Sequence, residues 1–282
     1  MSRPVQEPLR EVGGPSALGG GRRRFFDLLW LMSVTEFRRV YFGTVLGYMW
    51  SLIRPLALFG ILLFVFTQVF KVGSGEAVHY PVLLLIGIVM FTFFQESTTN
   101  AVGSVISQEG IVRKTQFPRL VIPLSTVVTG AFNFGLNLII VLVFLFAFNV
   151  DPMWTWLLFP VAVAFLFLIT AGVSMMLSAL YVRFRDLAII WQVFAQALFY
   201  ATPILYPITS FHDRTLERVL MINPLTVIFE QVRVWVLEPE APTAVDVTGW
   251  VGLIPAAIIF VGVCGVGIWL FNREAPRIAE DL

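Results

Sequence analysis

Few side chains in this sequence have the type and spacing that chemistry requires. His79 and His212 fall in loops far apart and read as surface histidines, not as a metal pair. The one cysteine, Cys264, sits inside an apolar run and reads as a small packing residue; no intramolecular disulfide and no thiolate metal cluster can form. The phosphate-cradling GxxxxGK(S/T), the zinc-protease HExxH and the nucleophile-elbow GxSxG are missing from the sequence. A chain without a nucleotide loop does not hydrolyse ATP, so any uphill work draws on another subunit. What remains are charges and amides in apolar surroundings. Glu96 stands in a hydrophobic segment, where a carboxylate is a functional candidate by default. With Arg113 and Lys114 following on the same side, a structural ion pair or a docking contact fits it better than a proton relay. Arg54 lies about 13 Å into its segment at 1.5 Å per residue; it either snorkels to the headgroups or faces a hydrated path. Asn133 and Asn137, four apart on one helical face, read as interhelical glue.

The elements that position these residues follow from composition. Hydrophobic residues make up 58% of the chain and charged residues 13%, against about 25% in a soluble domain, so lipid is the main solvent. Six segments are long and apolar enough to span a bilayer: Val45–Phe70, Tyr80–Gly103, Leu120–Phe148, Leu157–Tyr181, Leu187–Ile208 and Trp250–Phe271. The second is the least uniform, because Gln95-Glu96-Ser97-Thr98-Thr99-Asn100 follows its apolar run. With the N-terminus inside, 14 basic residues fall on the cytosolic side and 4 outside, which predicts both termini in the cytosol. The expected organisation is a disordered tail over 1–21, an amphipathic interfacial helix over 22–44, a six-helix membrane domain over 45–271 and a cytosolic tail over 272–282. The interfacial helix mixes arginines with Phe25, Phe26, Leu29, Trp30 and Phe37. Ser104–Pro118 is a candidate short cytosolic helix. Phe211–Ile222 and Leu225–Leu237 form two amphipathic helices around Asn223-Pro224, the second too short and too charged to span. Pro203 and Pro207 bend or end the fifth span, and Trp50, Trp154, Trp156 and Trp250 fit interfacial belts.

Five motifs in order give the chain a family likeness. Residues 36–55 place Glu36, Arg38, Tyr41, Thr44, Leu46, Gly47, Trp50 and Pro55 as in the opening motif of the ABC-2 polysaccharide export permeases, the O-antigen and teichoic acid exporters. Val40 stands where a second basic residue is usual. The run from Phe93 through Leu124 resembles that family's second span and loop, including Glu96, Lys114, Phe117, Pro118 and Pro123. VRFRDL (Val182–Leu187), TPILYP (Thr202–Pro207) and INPLT (Ile222–Thr226) follow in the same order. The resemblance covers roughly Phe25 to Phe271. It implies an all-α permease of the bacterial cytoplasmic membrane that forms a homodimer, with a separate ATPase beneath each protomer holding ATP and Mg. No cofactor or metal would be held by this chain itself, and no nucleic acid is expected among its partners.

In that family frame the substrate is a polyprenyl-pyrophosphate-linked polysaccharide. Arg22, Arg23, Arg24, Arg38, Arg39 and Arg54 are the candidates for attracting its anionic headgroup or an anionic lipid, with topology-setting charge as the plainer reading. Glu36, Glu96, Gln108, Glu109, Arg113 and Lys114 are candidates for coupling to the ATPase. Phe211, Asn223, Pro224, Glu230 and Arg233 mark an external gate. Two other readings stay open: an ABC-2 drug or lipid exporter, and a membrane enzyme acting on lipid-linked sugars. The enzyme would want acids or histidines clustered at one membrane face, and the sequence offers none.

Overall fold

The computed structural model describes residues 21–41, 47–69, 79–108, 110, 118–206, 208 and 214–274. Its elements among these residues are helices. An N-terminal helix, α1 (Gly21–Tyr41), precedes α2 (Met49–Phe64), which runs on into a π-helical turn at Val65–Val69. The bundle continues with α3 (Tyr80–Val102), the single turn α4 (Ser104–Ser107) and α5 (Val121–Ala147). A 3₁₀ turn at Trp154–Leu158 leads into α6 (Phe159–Arg183), and α7 (Leu187–Ala201) follows. Two short helices, α8 (Arg214–Leu220) and α9 (Pro224–Val236), meet at an angle of 106°. The chain closes with α10 (Ala244–Gly252) and α11 (Ile254–Glu274). Proline occupies the first turn of α3, α6 and α9, where its missing N–H costs no helical bond.

Five helices are long and apolar enough to cross a membrane, or six if the bent α8–α9 pair counts as one span. The segment expected as the fifth span is the one that differs. Its helix ends at Ala201 after 15 residues, about 22 Å at 1.5 Å per residue. Pro203 disfavours helical geometry at Thr202 before it, and Thr202–Leu205 continue as buried irregular chain. The first span starts at Met49, and the last at Ile254 rather than Trp250, because a separate helix, α10, holds Trp250. Its Thr243–Asp246 capping box starts α10, and Gly249, at φ +67°, kinks it.

α3 forms the centre, packed on α2, α5, α6 and α7. Its broken apolar pattern fits this place, since its polar end faces other helices through Ser97 and Thr98 and a polar cavity through Glu96, Thr99 and Asn100. Leu84, Leu85, Ile88 and Met90 are buried among aromatic pairs such as Phe91–Phe199 and Phe93–Phe134. The outer helices show the reverse face. α7 buries Trp191, Ala195 and Phe199, one turn apart, and exposes Ile189, Ile190, Val193 and Phe194. Apolar surface on that scale suits hydrocarbon, not water. α6 and α11 make the closest crossing. A Cβ on Gly172 would stand 3.0 Å from the Cα of Cys264, and one on Gly267 would run into the Gly172 carbonyl. Small residues let backbones touch where no hydrophobic force drives helices together.

Candidate functional site

Two polar regions stand out, one at each end of the bundle. At the end carrying α1, the first five helices surround a vestibule of about 990 Å³. α1 is fixed against α5 by small residues: the Ser33 hydroxyl donates to the carbonyls of Leu29 at 2.7 Å and Ser125 at 3.3 Å, and the Thr129 hydroxyl donates to the Ser33 carbonyl at 3.1 Å. Trp30 and Phe37 meet Phe132 edge-on beside this crossing. α3 and α5 touch where Gly130 has no side chain, since a Cβ there would strike the Ser97 hydroxyl.

These contacts turn Glu36 and Arg39 of α1, Arg54 of α2, Glu96 and Asn100 of α3, and Asn133 of α5 toward one space. The Glu96 carboxylate accepts from the Asn133 amide at 3.4 Å. Asn137 holds Asn133 in turn, donating to its side-chain oxygen at 3.1 Å and its carbonyl at 2.9 Å. Arg54 and Glu96 line the same cavity with opposite charge, while Arg39 donates to Glu36 at 2.7 Å. Of the two asparagines Asn133 makes the expected interhelical tie, to Glu96 of α3, and also lines the vestibule, while the bonds of Asn137 go to Asn133 within α5. The rest of the wall mixes hydroxyls and amides, among them Ser51, Thr99, Ser104, Thr126 and Gln108, with Val40, Trp50 and glycines.

The vestibule thus gathers Arg39 and Arg54, expected to meet a headgroup, with Glu36, Glu96 and Gln108, expected to couple to a partner. It does not include Arg23, Arg24 or Arg38, which lie exposed on α1. Arg22 is in α1 with its side chain outside the described residues, as are Glu109, Arg113, Lys114 and Phe211. Among the described residues Glu96 meets Asn133 and shares its cavity with Arg54, both from other spans; Arg113 and Lys114 lie outside the described residues.

At the opposite end, α9 is buried against α6 and α11. Asn223 caps it, its oxygen accepting from the Leu225 amide at 3.0 Å while its amide donates to Thr202 at 3.2 Å. Glu230 and Arg233, 2% and 6% exposed, form the core of an ion cluster. Arg233 donates to Glu230 at 3.5 Å and, through Nε and a terminal nitrogen, to one oxygen of Glu238 at 3.0 and 2.6 Å. The other Glu230 oxygen accepts from the Ile208 amide at 3.2 Å. Tyr80 at the start of α3 donates to the Leu205 carbonyl at 2.8 Å, and Trp156 to the Val236 carbonyl at 3.0 Å. The irregular chain after α7 is thereby tied to both α3 and α9. Sequence reasoning found Asn223, Pro224, Glu230 and Arg233 but missed Glu238 and Tyr80. Glu238 carried a faint signal, an acid just past the helix end five residues after Arg233; a tyrosine that meets a backbone carbonyl carries none.

Comparison with known proteins fits both ends of the bundle. The ABC-2 type transporter family matches residues 27–237, a span that takes in most of α1, the vestibule and the whole of α9. The chain belongs to the ABC-2 type transporter family. Two O-antigen export system permease proteins RfbA of Klebsiella pneumoniae are similar over nearly the full length. One is 33% identical over 260 residues and the other 30% over 265, each alignment covering 91% of this chain and 95% of the relative. A third RfbA, from Myxococcus xanthus, is 28% identical over 248 residues, covering 88% of this chain and 92% of its own.

Proposed function

We propose that this chain is the membrane permease subunit of an ABC exporter that carries a lipid-linked polysaccharide across the bacterial cytoplasmic membrane, energised by a separate ATPase. The observation that carries the reading is similarity over nine-tenths of the chain to permeases named for O-antigen export. The bundle supports it with a large polar vestibule at one end, which a lipid-facing structural protein has no need of. Basic residues favour the vestibule end in the cytosol, with both termini there. The exposed arginines of α1 outside the vestibule, Arg23, Arg24 and Arg38, draw the anionic headgroup to this leaflet. α1 and the turn after Gly103 offer the ATPase a rigid surface, joined directly to α3 and α5, through which rigid-body motion reaches the spans. A second copy of the chain completes the path, and the α8–α9 elbow closes its outer end.

Moving a pyrophosphate and many hydroxyls through hydrocarbon is strongly uphill, because each polar group loses water without a matching partner. A pathway lowers that barrier but gives no direction. The test is phosphate release in lipid nanodiscs, from the chain alone and with its ATPase. The purified chain is expected to be inert and turnover to appear with the second subunit. Robust hydrolysis by the lone chain, or export in cells lacking every candidate ATPase, would refute the reading.

A further inference from the structure

The charges on the described residues of the vestibule balance. Among the described residues its wall holds two guanidiniums, Arg39 and Arg54, and two carboxylates, Glu36 and Glu96. Arg39 is already bonded to Glu36 at 2.7 Å, and Arg54 lines the same cavity as Glu96. A pyrophosphate entering here would meet one cation already paired and one, Arg54, that shares the cavity with a carboxylate, and would come close to both carboxylates. Binding an anion beside like charge works against affinity. Arg23, Arg24 and Arg38 differ, since they are exposed on α1 and no carboxylate pairs with them among the described residues.

The wall between the charges is uncharged and rich in hydrogen-bonding groups, Asn100, Asn133, Thr126 and Thr129 among them. Exposure falls inward, from Arg39, exposed at the mouth, to Glu96, half-buried, and Asn133, 7% exposed. A carboxylate held by an amide offers both an acceptor and a donor, the pairing that sugar hydroxyls need. The Glu96–Asn133 bond, at 3.4 Å, is long and gives way readily to a better partner. At about 990 Å³ the vestibule is at the upper end of ordinary ligand pockets.

We propose that the vestibule is a glycan subsite that takes the uncharged, hydroxyl-bearing sugar next to the lipid carrier, Glu96 and Asn133 being its reading pair, while the phosphates stay outside with the exposed arginines of α1. This rests on the export reading above and divides its headgroup into two parts. It makes the sugar, and not the pyrophosphate alone, the feature recognised on the cytosolic side.

The probes are farnesyl diphosphate and the same molecule carrying one hexose on its terminal phosphate, bound to the full-length protein in nanodiscs. The wild type is expected to hold the hexose-bearing probe at least tenfold more tightly. Glu96→Gln and Asn100→Ala are expected to shrink that ratio severalfold with little change for farnesyl diphosphate; Asn100 is exposed, so its loss leaves folding intact. The double substitution of Arg23 and Arg24 by alanine should weaken both probes alike and flatten their salt dependence. Equal affinity of the wild type for both probes, or a ratio unchanged in Glu96→Gln and Asn100→Ala, overturns the glycan subsite and leaves the export reading standing. Failure of both probes to bind overturns the subsite together with the headgroup part of that reading.

Discussion

Arg233 is the residue whose removal the fold should feel most. Its guanidinium answers Glu230, buried with it, and Glu238 at the partly exposed edge of the site, and Glu230 passes the connection to the Ile208 amide. Without it two carboxylates face each other uncompensated. Breaking a buried pair from one side costs about 3–5 kcal/mol, so Arg233→Ala should lower the thermal midpoint of the nanodisc-embedded protein sharply. Arg233→Lys should fall between, because one ammonium cannot reproduce the fork of the guanidinium; a midpoint equal to wild type in both would show the cluster to be idle. Glu230 and Arg233 were legible in the sequence as charges three apart on a short apolar helix. Glu36 and Arg39 were legible only as neighbouring charges, yet the same i, i+3 spacing joins them. The partner of Glu96 was not legible. It depends on how three spans cross, and nothing local in the sequence brings position 96 to positions 54 and 133.

Two elements give tests of their own. In α10 the Asp246 carboxylate accepts from the Thr243 hydroxyl and amide, and these bonds hold its pKa below the ordinary carboxylate value. A lowered folded-state value means the stabilisation is present above the unfolded pKa, about 3.9, and is lost as pH falls through the lower folded one. Hydrogen exchange over residues 244–252, corrected for intrinsic rates, should lose protection at the acid end of the scale. Asp246→Asn should flatten that loss; an unchanged profile would separate the cap from the helix. The α6–α11 crossing makes the second test. Gly172→Leu has no room against the Cys264 backbone and should drive the two helices apart, read as a lowered midpoint and a lengthened spin-label distance between them. Gly262→Leu meets open space and should do neither. Hydropathy found the long helices because they must be apolar, and Pro203 announced the end of α7. That Thr202–Leu205 can stay irregular at depth was hidden. Non-helical backbone survives there only because other elements satisfy it, as Tyr80 does for Leu205.

At the scale of the whole molecule, the 14-to-4 split of basic residues fixes an orientation to check. In a Cys264→Ala background, Ser2→Cys and Glu280→Cys should be shielded from an impermeant thiol reagent in intact cells, and Thr215→Cys should be labelled. Labelling at either terminus would reverse the assignment of the vestibule to the cytosol. Architecture on this scale was the most legible part for the five long helices, which follow from solvent partition, but not for the expected fifth span, whose helix stops at Ala201. The vestibule was not legible, because its residues belong to separate elements and share only a place. α3 touches both polar regions: Glu96 and Asn100 stand in the vestibule at one end, and Tyr80 grips the Leu205 carbonyl at the other. Its 23 residues make a rod about 35 Å long. Pivoted at either end, such a rod is a lever with an arm of its full length, and each degree of tilt sweeps the far tip through about 0.6 Å. A displacement too small to notice where a ligand sits would then be enough to unseat a single hydrogen bond on the opposite face.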